Sequence, residues 1–196
     1  DRVIRAFNNV RFYKSDMSGK CDSLHSNNKT QLTKMIGKPI LWNNENQMTG
    51  DVMHLIGNNK TQKLDSLKVL NNAFIIQKDS LSKNGYNQIK GQNLYGKFVD
   101  SKLKEVDVFK NAEVIYYMYN DANEFIGINK TVRSKINLEL EANKINSITF
   151  FTKTDSFIYP EAEFPENARK LRGFLWRGDE RILSKDDIFP AEEIAL

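Results

Sequence analysis

His25 and His54 each follow an aspartate by three residues, Asp22 and Asp51. Such a pair could serve as an acid–base couple or as half of a metal site. On a helix this spacing would put both side chains on one face; on a strand, positions i and i+3 point to opposite faces. Both pairs lie in strand-like sequence, so neither converges, and nothing supplies the third and fourth ligands that zinc requires. Ser23, Ser66 and Ser147 stand in similar contexts, yet no G-x-S-x-G elbow surrounds any of them. No G-x-G-x-x-G and no phosphate loop occur. Cys21 is the sole cysteine, which excludes an internal disulfide and a cysteine zinc site. The chain reads as a non-enzyme with no metal and no cofactor.

What, then, do the remaining residues build? The chain has 196 residues, 40% of them hydrophobic and 11% aromatic, which is enough for one buried core or one elongated array. Its 29 basic and 25 acidic residues are interspersed, a mixed solvated surface rather than a nucleic-acid footprint. No apolar run reaches membrane-spanning length. The first residue, Asp1, opens on strand-like sequence (Val3 to Phe7) without an initiator methionine or signal peptide, which predicts a piece of a longer precursor. N-K-T triplets at Asn28, Asn59 and Asn129 fit the glycosylation pattern, which matters only in a eukaryotic secretory context.

Asparagines come in pairs (Asn8-Asn9, Asn27-Asn28, Asn43-Asn44, Asn58-Asn59, Asn71-Asn72) between short runs rich in Val, Ile, Phe and Tyr. These pairs read as turns, because Asn tolerates the left-handed conformation, and the runs between them read as strands. The stretch NNKTQ occurs twice, from Asn27 and from Asn58, and glycines recur at Gly19, Gly50, Gly91 and Gly127. Aligning these marks gives about four units of three strands over residues 9–151. The first strands run from Val10, Ile40, Ala73 and Ala112; the glycines mark the second. The third begin at Thr33, Leu64, Leu103 and Ile145. NNKTQ is then the turn between the second and third strands of the first two units. The uneven glycine spacing excludes a fixed-rung solenoid and fits an antiparallel, jelly-roll-like stack.

Alternation within the strands selects an interior. Phe12, Leu41, Ile75 and Val114 share one offset from Asn9, Lys38, Asn72 and Asn111, which predicts one ladder. Leu67, Val106 and Ile148, with Val69, Val108 and Phe150, predict the facing wall, leaving Lys68, Asp107 and Thr149 in water. Which of Tyr13, Trp42, Ile76 and Ile115 points inward stays open, since a slip of one residue flips every side chain. The first strands are apolar on both faces, so either they lie mid-sandwich or a tail covers them. Residues 160–196 hold three of the four prolines and read as an irregular tail, with a short helix near Asp187 to Ile194.

Residues 1–160 resemble the OstA-like, or LptA-like, proteins that form the periplasmic bridge of lipopolysaccharide transport in Gram-negative bacteria. The resemblance is carried by Ser18-Gly19-Lys20-Cys21-Asp22-Ser23-Leu24, by Gly37-Lys38-Pro39-Ile40-Leu41-Trp42 and by Asn46-Gln47-Met48-Thr49-Gly50-Asp51. It implies an all-β fold, a rolled antiparallel β-jelly-roll (a β-taco) over residues 1–160, with residues 161–196 packed on the sheet or its end. It also implies a periplasmic, non-catalytic carrier at or near the outer membrane. The ten residues of the predicted ladder and facing wall would line a groove for the acyl chains of lipopolysaccharide or a related lipid. Partners would be other bridge proteins joined by strand edges, and further copies of the chain joined head to tail. The uneven units and the tail with Phe174-Leu175-Trp176 depart from small family members. Free bridge subunit, translocon domain and lineage-specific relative therefore all stand. Two other readings compete: a non-catalytic scaffold or interaction module of the cell envelope, and a sugar-binding sandwich using Trp42, Tyr95 and Tyr116.

Overall fold

The computed structural model describes residues 2–141, 144–151 and 157–189. The Val, Ile, Phe and Tyr runs become strands β1 (Val3–Lys14), β2 (Met17–Asn27), β3 (Leu32–Ile36), β4 (Ile40–Asn43), β5 (Asn46–Thr49) and β6 (Val52–Gly57). After them come β7 (Leu64–Lys78), β8 (Tyr86–Val99), β9 (Lys102–Tyr119), β10 (Phe125–Glu141), β11 (Lys144–Phe150) and β12 (Phe157–Tyr159). One sheet holds them all, in the order β11-β10-β9-β8-β7-β5-β4-β2-β3-β6, with β1 on β2 and β12 on β10. The first half of β7 pairs with β6 and its second half with β5, so the roll closes between β2 and β7. This is the rolled antiparallel jelly-roll expected from the sequence.

The partition into strands differs. The third strand of one unit and the first of the next are two halves of a single long strand, as in β7 and β9. Asn8-Asn9 and Asn71-Asn72 are not turns between strands. Together with Lys110-Asn111 they are bulges inside strands, with φ of 64° and 52°, 58° and 50°, and 60° and 51°. The ladder slips at each, between Phe7 and Val10, between Leu70 and Ala73, and opposite Phe109. Two consecutive left-handed residues bend a strand without ending it, and asparagine accepts that conformation at low cost. A β-carbon at Gly50 or Gly91 would run into the methyls of Val69 or Val108, which is why the crease carries glycine.

Folding along this crease makes two walls. The front wall holds residues 3–7, 23–27, 32–36, 52–57, 64–70, 93–99, 102–109, 135–141 and 144–150; the back wall holds the complementary halves. At the front wall's tips NNKTQ forms the same turn twice. Asn27 Oδ1 accepts from the amides of Lys29 (2.9 Å) and Thr30 (3.3 Å); Asn58 Oδ1 accepts from Lys60 (2.9 Å) and Thr61 (3.1 Å). Gln31 and Gln62 close it, each donating to the carbonyl three residues back.

The segment after β12 crosses the outside of the back wall. Phe164, Leu171, Phe174 and Trp176 cover Phe74, Ile76, Ile115, Tyr117 and Ile128, which answers why those strands are apolar on both faces. Two buried glutamines bind this strap as peptide mimics. Gln88 donates to the Arg169 carbonyl (2.7 Å) and accepts from the Leu171 amide (2.8 Å). Gln47 does the same with Leu175 and Arg177, both at 2.7 Å. The short helix expected near Asp187 to Ile194 is a single 3-10 turn, Asp186–Ile188, within the described residues, and positions 190–194 lie outside them.

Candidate functional site

Cross-strand register sorts the interior into rows. On the back wall one row runs Phe12, Gly19, Leu41, Met48, Ile75, Ile89, Val114, each opposite the next. All four residues of the predicted ladder lie in it. Met48 and Ile89 were missed: β5 carries a single apolar residue in a polar stretch, and only its alternation with Gln47 and Thr49 could have marked it. Gly19 is in the row because the Phe12 ring occupies the space of its β-carbon. On the front wall Leu67, Val106 and Ile148 fall in one row with Leu55, Gly96 and Leu138. Val69, Val108 and Phe150 fall in the next, with Met35, Met53, Leu94 and Ile136. The two walls meet in one apolar cluster that contains all ten predicted residues. Tyr13 pairs with Ser18; Trp42, Ile76 and Ile115 face away from the cluster, Ile76 and Ile115 beneath the strap.

Midway along the roll the interior is filled: Met48, Leu67, Val108, Val114 and Leu138 have no solvent exposure. At the β1 end the walls part and leave a cavity of about 550 Å³, within the range of small-molecule sites. Ile4, Phe12, Met17, Leu24, Leu55 and Leu64 line it, and Arg2, Lys14 and Lys63 stand at its rim. Hydrogen bonds tie the walls together farther along. Asn43, fully buried in the back wall, donates to the carbonyls of Asp16 (2.8 Å) and of Ser101 in the front wall's β8–β9 turn (3.3 Å). The Tyr116 hydroxyl donates to the Ile145 carbonyl (3.1 Å). Beside that tie a more polar cleft of about 600 Å³ is lined by Asp79, Asn87, Tyr116, Tyr119 and Glu141.

Burial dominates the electrostatics inside. It pushes the Cys21 thiol up to about 11, with a smaller push from Asp22. It raises Tyr116 as well, followed by the negative charge of Asp79. Tyr119 is raised by burial first and then by its hydrogen bond to the Asp79 carboxylate. The Asp–His pairs do not converge. Asp51 accepts two bonds from Asn72 at the crease (3.1 and 3.0 Å), while His54 lies between Lys34 and Lys68. Burial, then those two lysines, lowers its pKa. Among the described residues no group of three His, Cys, Asp or Glu could hold a metal. The three aromatics of the sugar-binding reading are separated: Trp42 is buried, Tyr95 is on the outer front wall, and Tyr116 is inside. Strand alternation puts them on different faces, so they form no common platform.

No family model and no curated protein matches the sequence. Among solved structures the chain is similar in fold to LptH of Pseudomonas aeruginosa, the LptA-homologous periplasmic component of the lipopolysaccharide transport device. The TM-score is 0.54 and the identity 16%, covering 75% of this chain and 100% of that one. Among the described residues no helix is long and apolar enough to cross a membrane.

Proposed function

We propose that this chain is a periplasmic carrier of lipopolysaccharide or a related lipid, non-catalytic, acting between membranes as part of a bridge. The observation that carries this reading is the pair of facing apolar walls that part at the β1 end into a cavity rimmed by Arg2, Lys14 and Lys63. Each methylene moved from water into such an interior gains about 0.8 kcal/mol, so an acyl chain is held without any chemistry. Arg2 and Lys14 at the rim suit the anionic groups of a lipid whose chains enter beneath them, while Lys63 is paired with Asp100 (2.9 Å). The fold likeness to LptH supports the same reading. Passage farther along the roll requires the walls to separate, because side chains fill the middle. Photo-crosslinking residues placed at Phe12 and Ile148 should capture lipopolysaccharide, and the same residue at Tyr95 or Val132 should not. Equal capture at all four positions, or none at any, refutes the carrier.

The filled middle is also what a cell-envelope scaffold would have, and such a protein would give no adduct at Phe12. Either role can use strand-edge assembly. Among the described residues β1 pairs only with β2, and β11 only with β10, so each end of the described sheet offers an edge. The end of the strap reaches the second half of β1, where Arg11 donates to the Ile188 carbonyl (3.2 Å). The first half, Val3 to Phe7, is the edge we assign to head-to-tail association with another copy or another bridge protein. Ile4→Pro with Ala6→Pro should abolish concentration-dependent sedimentation while leaving the circular dichroism spectrum intact. A wild-type chain that stays monomeric at high concentration sinks this assignment.

A further inference from the structure

The register places Arg5, His25, Lys34, His54 and Lys68 directly opposite one another in a single row across β1, β2, β3, β6 and β7. These strands are scattered through the chain, so no stretch of sequence displays the row. It lies on the outer face of the front wall, away from the strap and the interior. Directly opposed side chains stand about 5 Å apart, where like charges repel, so the row costs stability rather than adding it. The lowered pKa of His54 reports that repulsion in part.

No counter-charge pairs with the row. Across these five strands the outward positions between bulge and tip hold one acidic residue, the exposed Asp65 near the β7 tip, and among the described residues it makes no ion pair with the row. Among the described residues no side-chain hydrogen bond or ion pair engages Arg5, His25, Lys34 or His54, and the Lys68 ammonium stands over the Tyr95 ring, at 5.7 Å. The far half of the same face is neutralised: Lys97 pairs with Glu105 (2.8 Å) and Lys135 with Asp107 (3.1 Å). Apolar rows flank the cations on both sides. Val3 is 48% exposed, Phe7 68% and Ile36 46%, with Val52 and Leu70 beside them.

We infer that this face docks on an anionic lipid surface, its cations on headgroup phosphates and its flanking apolar rows at the headgroup boundary. These positions hold no Trp or Tyr of the kind that anchors a protein partner in a pocket. A lipid surface offers instead what the face lacks, a spread of negative charge beside an apolar layer. The inference is independent of what the interior carries.

Flotation of the full chain with phosphatidylcholine vesicles, with and without phosphatidylglycerol, tests it. Binding should require the anionic lipid and fall at high salt. Lys34→Ala with Lys68→Ala should weaken it by about thirty-fold. Lys97→Ala with Lys135→Ala removes the same net charge from the neutralised half and should change it less than about two-fold. Equal weakening by the two double variants overturns the inference, since net charge alone would then be at work. Equal binding to neutral and anionic vesicles, or none, also overturns it and turns the row toward an acidic protein. Crosslinking of lipopolysaccharide at Phe12 in the chain with the cationic row intact, beside the flotation of that same chain, separates the two proposals. Captured lipid without vesicle binding defeats this inference and leaves the carrier standing.

Discussion

Ile75 tests the inward register most sharply, because its strand also carries an outward control. It is 3% exposed and stands between Met48 and Ile89 in the back-wall row. Ile75→Ala deletes three carbon groups, each worth about 0.8 kcal/mol of transfer free energy. A cavity term adds to this, because neighbours held in two ladders can collapse only in part, so the cost should be about 3 to 4 kcal/mol. For a chain of this size each kcal/mol lowers the melting temperature by about 2 to 4 °C, so the drop should be about 6 to 16 °C. Ile75→Asp would bury an unpaired carboxylate in the same place and should prevent folding. Lys68, seven residues earlier on β7, points outward, and Lys68→Ala should stay within about 0.5 kcal/mol of wild type. Thermal unfolding followed by circular dichroism reads all three. Equal melting temperatures for Ile75→Ala and Lys68→Ala would mean that the two-wall register is wrong.

Cys21 should resist alkylation at pH 8 in the folded chain and react fully in denaturant, because burial pushes its thiol up to about 11. Its folded pKa lies above the thiol's ordinary 9.0, so its contribution to stability is complete below that pH and is lost as pH climbs toward 11; a stability flat across this window contradicts the buried thiol. Gln88→Ala orphans the Arg169 carbonyl and the Leu171 amide, which should cost about 2 to 4 kcal/mol. It should also speed tryptic cleavage at Arg169, Lys170 and Arg172, and an unchanged digestion rate would mean that the strap is held elsewhere. Chelator treatment, and the double change His25→Ala with His54→Ala, should leave lipid capture at Phe12 unaltered; loss of capture on chelation would restore a metal site.

What the sequence determined by itself is local. Alternation along each strand set which side chains share a face, and equal offsets from the turn residues brought Phe12, Leu41, Ile75 and Val114 into one row. The NNKTQ turns were legible because Asn27 and Asn58 close them with bonds inside the motif. Asparagine pairs were legible only in part, since a left-handed conformation serves a turn and a mid-strand bend equally well. Whether the ladder continues past Asn71-Asn72 depends on β8 lying opposite, and β8 is distant information. The same holds for the strap, whose amphipathic residues name no target until Gln47 and Gln88 come within hydrogen-bond reach. The parting of the walls at β1 and the cationic row from Arg5 to Lys68 are decided by tertiary structure alone. Strands far apart in the chain become neighbours only when the roll closes, and closure is fixed by which apolar faces can be buried together.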